Sequence, residues 1–555
     1  MLARALAIYQ KRGLELEVAS VLNNLGVLHR GQGRLAEAEA AHRRALEIRK
    51  RTLGPGHVRI GASLNNLAEL LHQRGRYDDA EAMYREAIAI KEAAFGPDHP
   101  EVVNTLVNLG ELLSRRDRHQ DAEVLFRRAL AISERVFGPD HVRTAGALNG
   151  LAQYHDAAGD YAKAEALYQR SLAITEKALG PEHPRVAAVL SNLGEIQLRQ
   201  GRIAAAESLL RRSMAIYRKT GGNHFSDLGA VLNNLGQACE IRGRLKEAEA
   251  AYRQSLETWE KALGPEAPQT AAALNNLAAV LDADQRFTEA GPMLARALLL
   301  HERLLGPEST LVAETLDNLG AHYLLQGEMG KAEAAMRKAM AIREKVLGPE
   351  HSSVAVSFRN LADLFNQQDR TEAAEQYYRR SLALLEKRLG EEHASVAAVL
   401  QRLAALCGRE RRYAESQRLL LRAVAIWEKS LGPENSHVAL AWNNLGAVYF
   451  AERKYAEADP AITRALSIWE KTLGGDQPEV AGALANLATI RAAQGQYASA
   501  APLFERSLEI MARTHQPEGS QRVVHMTNYA EVLRKLNRKG EASKLEAQVK
   551  ALVAK

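Results

Sequence analysis

Apolar and polar positions follow a helical period along most of this chain, and residues 61–102 show the pattern clearly. Leu64, Leu67 and Leu71 recur every three or four residues, which predicts the buried stripe of a first amphipathic helix. A turn follows near Gly75, and a second apolar stripe predicts a second helix that stops at the next Gly-Pro pair. The stretch therefore predicts one helix-turn-helix unit.

This unit returns with a period of 42 residues and no insertion or deletion. Its anchor is the leucine of an Asn-Leu-Gly or Asn-Leu-Ala tripeptide or a close variant, found at Leu25, Leu67, Leu109, Leu151, Leu193, Leu235, Leu277, Leu319, Leu361, Leu403, Leu445 and Leu487, with Tyr529 in a thirteenth copy. A fixed period of this length is typical of repeat proteins whose units pack only against their neighbours. The sequence therefore predicts an all-α fold, a right-handed α-solenoid of about thirteen helix-turn-helix repeats.

We expect one continuous array, since a solenoid adds core one unit at a time. Residues 1–18 copy the end of a unit and are predicted to form an unpaired N-terminal second helix and loop. Residues 19–515 are the tandem 42-residue repeats. Residues 516–555 are predicted to be a divergent C-terminal capping repeat, because Lys539 and Glu546 stand where earlier units carry apolar residues.

Two blocks carry a family resemblance: Leu179 to Pro184, and then Val189 to Gly194. They resemble the tetratricopeptide repeat in its kinesin light chain form, and the similarity covers nearly the whole chain. The resemblance implies a protein-interaction scaffold or adaptor that binds extended peptide segments of partner proteins in a concave groove. The chain lacks the coiled-coil heptads by which a true light chain joins a motor, so motor transport is not implied.

An asparagine precedes the anchor in most units, and we call this series the asparagine ladder: Asn24, Asn66, Asn108, Asn192, Asn234, Asn276, Asn318, Asn360, Asn444 and Asn486, with Asn528 in the last unit. Asparagine is a poor interior helix residue, so its return needs a reason. One explanation is that each amide bridges to the backbone of the next repeat and sets the superhelical pitch. The other comes from the resemblance, which implies that the ladder lines the groove and hydrogen-bonds the main chain of a peptide. Both can hold at different repeats.

Ligand selectivity is expected on the same helical face one turn later. In the first half of the chain this position is acidic, at Glu69, Glu111 and Glu195, whereas most later equivalents are small. Light chain repeats are associated with acidic peptides that basic groove residues recognise, so these carboxylates argue against that ligand class. Arg30, Arg115 and Arg199 are close enough in sequence to soften the contrast.

A basic series on the second helices raises the alternative of nucleic-acid binding: Arg44, Arg128, Arg170, Arg212, Arg296, Lys338, Arg380, Arg422, Arg464 and Arg506. Acidic residues alternate with this series, and the formal net charge of +6 is small for 555 residues, so a solvated face is the favoured interpretation. A third alternative is the sensor arm of a larger signalling system. A long open surface also leaves self-association possible.

The sequence contains no nucleotide-binding, metalloprotease or serine-hydrolase motif, so we predict neither enzymatic activity nor a cofactor. Recurrent loop histidines are predicted to cap helix ends rather than to bind metal: His57, His99, His141, His183, His351 and His393. Cys239 and Cys407 lie four repeats apart and cannot pair, which favours a reducing, cytoplasmic location. No apolar stretch is long enough to predict a membrane span.

Overall fold

The computed structural model describes residues 2–220, 224–513 and 520–553. These residues form α-helices and one short 3-10 helix at Pro100–Val102, without any β-strand. In chain order the helices are α1 Leu2–Lys11, α2 Glu15–Gly31, α3 Leu35–Leu53, α4 Val58–Gln73, α5 Tyr77–Phe95, α6 Val103–Arg115, α7 His119–Phe137, α8 Val142–Ala157, α9 Tyr161–Leu179, α10 Pro184–Arg199, α11 Ile203–Thr220, α12 Phe225–Ile241, α13 Leu245–Leu263 and α14 Pro268–Ala283. They continue as α15 Phe287–Leu305, α16 Thr310–Leu325, α17 Met329–Leu347, α18 Ser352–Gln367, α19 Thr371–Leu389, α20 Ala394–Arg409, α21 Tyr413–Leu431, α22 Ser436–Ala451, α23 Tyr455–Thr472, α24 Pro478–Ala493, α25 Tyr497–Arg513, α26 Ser520–Lys535 and α27 Lys539–Val553.

After α1, the described residues contain thirteen helix pairs, from α2 and α3 to α26 and α27. The predicted all-α solenoid of thirteen helix-turn-helix repeats is therefore confirmed. The predicted division at 1–18, 19–515 and 516–555 stays a prediction, and its boundary between residues 515 and 516 lies outside the described residues.

Helices α4 and α5 show how the apolar stripes pack. Leu67 and Leu71 of α4 and Ala80 and Tyr84 of α5 are fully buried against each other and their neighbours. Gly75 joins the two helices at a φ of 74°, a left-handed conformation that glycine adopts without a steric penalty. The apolar stripe of each helix thus contributes to a core shared between consecutive repeats.

The chain divides into two compact units. Unit 1 comprises residues 1–196, 204–370 and 387–389, and unit 2 comprises residues 197–203, 371–386 and 390–555. Inside unit 1, α2 to α8 pack consecutively, and a core cluster extends from Leu46 to Tyr154. Inside unit 2, α20 to α27 pack consecutively, with Phe504 and Tyr529 stacked in a core near its C-terminal end.

Two further features are the hydropathy of the helices and the state of the two cysteines. In the described part of the chain, no helix is both long and apolar enough to cross a membrane. Cys239 and Cys407 are buried free thiols.

Candidate functional site

The first helices of four successive repeats in unit 1 line a groove of about 810 Å³. We call it the α4–α10 groove. Its lining includes Asn66, Glu69 and Asn108, three of the predicted site residues, together with Asn65 and Asn149. The structure therefore places part of the asparagine ladder in one groove.

The other predicted site residues lie outside this lining. Glu111, Asn192 and Glu195 are on α6 and α10, which contribute other side chains to the groove. The remaining ladder residues are on first helices of other repeats: Asn24, Asn234, Asn276, Asn318, Asn360, Asn444 and Asn486.

Small residues of α8 shape the centre of the groove. Gly146 and Gly150 take the places that Asn104 and Asn108 hold one repeat earlier. A Cβ added to Gly146 would meet no atom within 4 Å, so this part of the lining is open space. Only Gly146 therefore leaves room in the lining, where Asn104 stands one repeat earlier; Gly150 lies outside the lining, and a Cβ there would lie 3.2 Å from Val107 Cγ1.

Several ladder amides bridge consecutive repeats. Asn66 Nδ2 donates to Asn23 Oδ1 at 3.0 Å, and three further bridges have the same form: Asn108 to Asn65 at 3.2 Å, Asn276 to Asn233 at 2.7 Å and Asn486 to Asn443 at 3.1 Å. Asn360 hydrogen-bonds the carboxylate of Asp317, which occupies the equivalent position. Each bridge thus joins a ladder residue to a side chain 43 residues earlier.

These bridges correct the structural explanation in one respect. The expected partner was the backbone of the next repeat, whereas the observed partner is a side chain of the preceding repeat. Backbone carbonyls inside an α-helix already accept bonds from the residue four positions later, so a neighbouring helix offers a short amide its side chains instead. Repeats are therefore coupled through paired amides.

The bridges leave hydrogen-bonding capacity on the groove side. An amide has two N–H donors and one acceptor oxygen, and the bridge uses one donor. Asn66 and Asn108 make no further hydrogen bond to any residue that the structure describes. Each can therefore still donate one bond and accept another.

The rest of the ladder makes no such bridge within the described ranges: Asn24, Asn192, Asn234, Asn318, Asn444 and Asn528. The residue 43 positions before Asn192 is Asn149, whose Oδ1 is buried without a described partner. Before Asn318 it is Asn275, which instead donates to Thr315 Oγ1 at 3.0 Å. The ladder is thus uniform in sequence and varied in bonding.

The acidic positions are partly compensated. Glu69 forms an ion pair with Arg30, and its side chain is 42% exposed. Burial raises the pKa of Glu111, Arg115 opposes that shift, and the charge of Glu69 adds to it. Arg30 and Arg115 therefore do soften the acidic character that the sequence analysis assigned to this face.

Lys91 is a groove residue that the sequence analysis missed. Its side chain is 7% exposed, and its ammonium donates to the Glu101 carbonyl at 2.9 Å and to Thr105 Oγ1 at 2.8 Å. No carboxylate of the described residues forms an ion pair with it. Arg143, which lies 4.8 Å over the Phe137 ring, adds a second cation to the lining.

A sequence signal for Lys91 exists in retrospect. Across the repeats, the residue type at the position equivalent to Lys91 varies together with the residue type 14 positions later. Hydroxyls accompany Arg49, Lys91, His301 and Arg343 at these places, through the pairs Arg49 to Ser63, Lys91 to Thr105, His301 to Thr315 and Arg343 to Ser357. Alanine accompanies each tryptophan, in Trp259 with Ala273, Trp427 with Ala441 and Trp469 with Ala483. A buried polar side chain at this place is therefore accompanied by a hydroxyl partner, whereas tryptophan is accompanied by a small residue that leaves space for its ring.

The basic series is largely neutralised by acidic residues of the preceding repeat. Eight of its ten members form such pairs inside the described ranges: Arg128 with Glu92, Arg170 with Glu134, Arg212 with Glu176, Arg296 with Glu260, Lys338 with Glu302, Arg422 with Glu386, Arg464 with Glu434 and Arg506 with Glu470. Phosphate contacts need cations that are available to the ligand. The pairing of the basic series therefore favours the interpretation as a solvated helix face over phosphate binding.

The loop histidines cap helices, as predicted. Nδ1 of each accepts the N–H two residues later, in His57, His99, His141, His183, His351 and His393. Ser309 and Asn435 take the same place in their repeats and make the same bond. The histidines satisfy backbone donors that would otherwise be open at a helix start.

A second, smaller cavity of about 230 Å³ lies in unit 2. Phe450, Tyr497 and Phe504 line it, and Asn528 and Lys535 are polar members of the lining. Asn528 belongs to the ladder, so this apolar cavity adjoins a side chain of the type that lines the α4–α10 groove.

The repeats of this chain are similar to those of known proteins. Segments of the chain match the family described as Tetratricopeptide repeat at residues 17–93, 90–135, 101–177, 155–219, 227–290, 270–345, 311–387, 395–450, 437–513 and 479–554. No curated protein matches the chain.

Solved structures with similar repeats include a kinesin light chain protein of Podosopora anserina with nearly identical TPR-like repeats. It is 24% identical over 37% of this chain and 97% of its own, with a TM-score of 0.32, and a single-substitution form gives the same values. BtubC (BKLC) from P. vanneervenii is 23% identical over 42% of this chain and 91% of its own, with a TM-score of 0.33.

Proposed function

The chain belongs to the tetratricopeptide repeat family, as its sequence predicted, and from this premise we propose that it is a non-enzymatic scaffold that binds extended peptide segments of partner proteins in the α4–α10 groove. The family supports a protein-interaction scaffold in general. The groove and its amides support the more specific proposal. We place the protein in the cytoplasm, where its two buried free thiols would stay reduced.

The observation that carries the proposal is the unused capacity of Asn66 and Asn108 in the groove lining. An extended peptide presents a donor and an acceptor at each residue, and these two amides offer both. They lie 42 residues apart on adjacent first helices, and each is held by its bridge to the preceding repeat. Fixed amides lose little rotational freedom when a ligand binds.

The groove lining carries both acidic and basic residues, which disfavours a ligand whose charged side chains all have the same sign. Glu69 and Glu101 are acidic members of the lining, and Lys91, Arg143 and Arg185 are basic members. A segment with mixed or neutral side chains therefore fits this lining best. The basic series is a weaker candidate surface for nucleic acid, because most of its members pair with acidic residues in the described part of the chain.

The test compares two pairs of ladder residues in the full chain. Asn66→Ala with Asn108→Ala removes two bridges and two groove amides. Asn276→Ala with Asn486→Ala removes two bridges of the same kind outside the groove. Both double variants should lose similar stability, because they lose the same bonds.

The readout is calorimetric binding of a peptide selected on the wild-type chain from a random library displayed on phage. Each lost bond is worth about 0.5–1.5 kcal/mol, so the groove variant should bind roughly tenfold to a hundredfold more weakly. The other double variant should bind normally. Equal weakening in both variants, or a library that yields no binder, contradicts the proposal.

A further inference from the structure

The turn between α6 and α7 contains a buried carboxylate. Asp117 has a φ of 55° at the place where Gly33 and Gly75 stand in their repeats. Aspartate tolerates this left-handed conformation better than most residues, although at a cost relative to glycine. Its side chain is only 5% exposed, which is unusual for an acidic residue in a surface turn.

Asp117 caps a helix that lies far away in sequence. Its Oδ2 accepts the backbone N–H of Ser352 at 2.7 Å, and its Oδ1 accepts the Ser352 hydroxyl at 2.8 Å. Ser352 is the first residue of α18, so the carboxylate satisfies an open donor at a helix N-terminus. His351 Nε2 lies 2.9 Å from the Arg115 carbonyl. These contacts cross 235 residues of chain.

The same spacing recurs elsewhere in each unit. A Cβ on Gly33 of unit 1 would lie 3.3 Å from Pro268 and 3.4 Å from the Cα of Ala267. In unit 2, Asn435 Nδ2 donates to the Gln200 carbonyl at 2.7 Å, again across 235 residues. Each unit therefore coils so that a turn touches a loop between five and six repeats later.

Apolar contacts accompany this coiling in unit 1. Leu35 and Ala38 of α3 and Leu70 of α4 share a buried cluster with Leu305 at the end of α15. Other turns lack the contact: a Cβ on Gly75 or Gly327 would meet nothing within 4 Å. The coils thus touch at particular repeats, and at Asp117 a side-chain carboxyl group makes the contact.

We propose that Asp117, His351 and Ser352 form a clasp that holds successive coils of unit 1 together. The clasp joins the turn after α6 to the first residue of α18. Release of Asp117 from α18 should therefore loosen the contact between the two coils.

The surroundings of the carboxylate favour the closed state. His351 Nε2 and Arg388 Nε lie 3.5 Å and 3.8 Å from its oxygens, and His119 Nε2 lies 3.9 Å away. A carboxylate that receives an N–H, an O–H and nearby cationic or donor groups is well compensated for its burial. The clasp is therefore a specific contact rather than an incidental one.

The test is Asp117→Gly in the full chain, because glycine retains the left-handed turn and removes only the carboxylate. Asp369→Gly is the matched control: Asp369 has a φ of 54° in the equivalent turn, but its residue is exposed. Hydrogen exchange of residues 350–360 should become about tenfold faster in Asp117→Gly, since the Ser352 amide loses its partner. Unchanged exchange, or the same change in Asp369→Gly, overturns the clasp.

Hydrogen exchange needs no ligand, so this test is independent of peptide binding. Ser352→Ala, which loses only the hydroxyl bond, should also speed the exchange, by a smaller factor. It keeps the clasp testable if Asp117→Gly does not fold, and no change in this variant would then overturn it.

Discussion

Lys91 and Thr105 allow the energetics of the groove to be tested, because the same chain contains an apolar version of this pair. Leu385 and Val399 occupy the equivalent places seven repeats later, and both are buried. The experiment replaces Lys91 by Leu and Thr105 by Val, singly and together. Each substitution therefore introduces a residue that already packs at this position in the fold.

The magnitudes follow from the burial of Lys91. Thr105→Val alone removes a hydrogen bond to a buried ammonium, which should destabilise the protein by about 1.5–3 kcal/mol. The double variant also removes the buried charge itself. Replacing buried ionic groups by well-packed apolar residues is often neutral or stabilises by about 1–4 kcal/mol, so the double variant should be at least as stable as the wild type.

The assay is native-state hydrogen exchange of amides in α5 and α6, since a repeat array opens locally as well as globally. Its pH dependence supplies a second signature. Burial lowers the pKa of Lys91, and the charge of Glu101 opposes the shift. The unfolded chain therefore binds this proton more tightly, so wild-type stability should rise relative to the double variant as pH approaches about 10.

The outcome that refutes this reasoning is a double variant less stable than Thr105→Val. Such a result would mean that the ammonium contributes net stability and that its hydrogen bonds outweigh its desolvation. Equal pH dependence in the wild type and the double variant would likewise show that Lys91 keeps its ordinary pKa in the fold.

Two further predictions concern charged residues. The hydrogen bond from Arg412 lowers the pKa of Glu375. This carboxylate therefore stabilises unit 2 above its unfolded pKa near 4, and the contribution is lost as pH falls through the lower folded pKa. Arg412→Met should make the melting temperature depend less on pH on the acid side, and an unchanged pH dependence would contradict the link. Replacing Glu69, Glu111 and Glu195 together by Lys should shift peptide preference toward acidic segments by roughly tenfold in a competition binding assay, whereas an unchanged preference would place selectivity elsewhere in the molecule.

Local features were predictable wherever the reason for a residue lies within one or two repeats. The helix pairs follow from the apolar stripes and the turn glycines, and the loop histidines cap helices because the N–H they accept is only two residues away. The asparagine ladder was correctly placed on the first helices. Its bonding was not, because the partner of Asn66 is a side chain 43 residues earlier that the repeat pattern does not single out.

The groove residue Lys91 was missed for a related reason. Its partner is 14 residues away on the following helix, and only the packing of helix on helix shows that the two positions face each other. The basic series was similarly ambiguous, since the sequence shows charges along a helix but not the acidic residues that the preceding repeat brings beside them.

The sequence by itself determined the repeat, its two helices, the buried stripes and the family, because each depends on spacings no longer than the 42-residue period. Only the tertiary structure decided which repeats touch across a coil. Those contacts join residues 235 apart, and their spacing depends on small rotations that accumulate from one helix pair to the next. Asp117 and Asp369 occupy equivalent turns in their repeats. Only the coiling of unit 1 makes Asp117 a buried cap of α18.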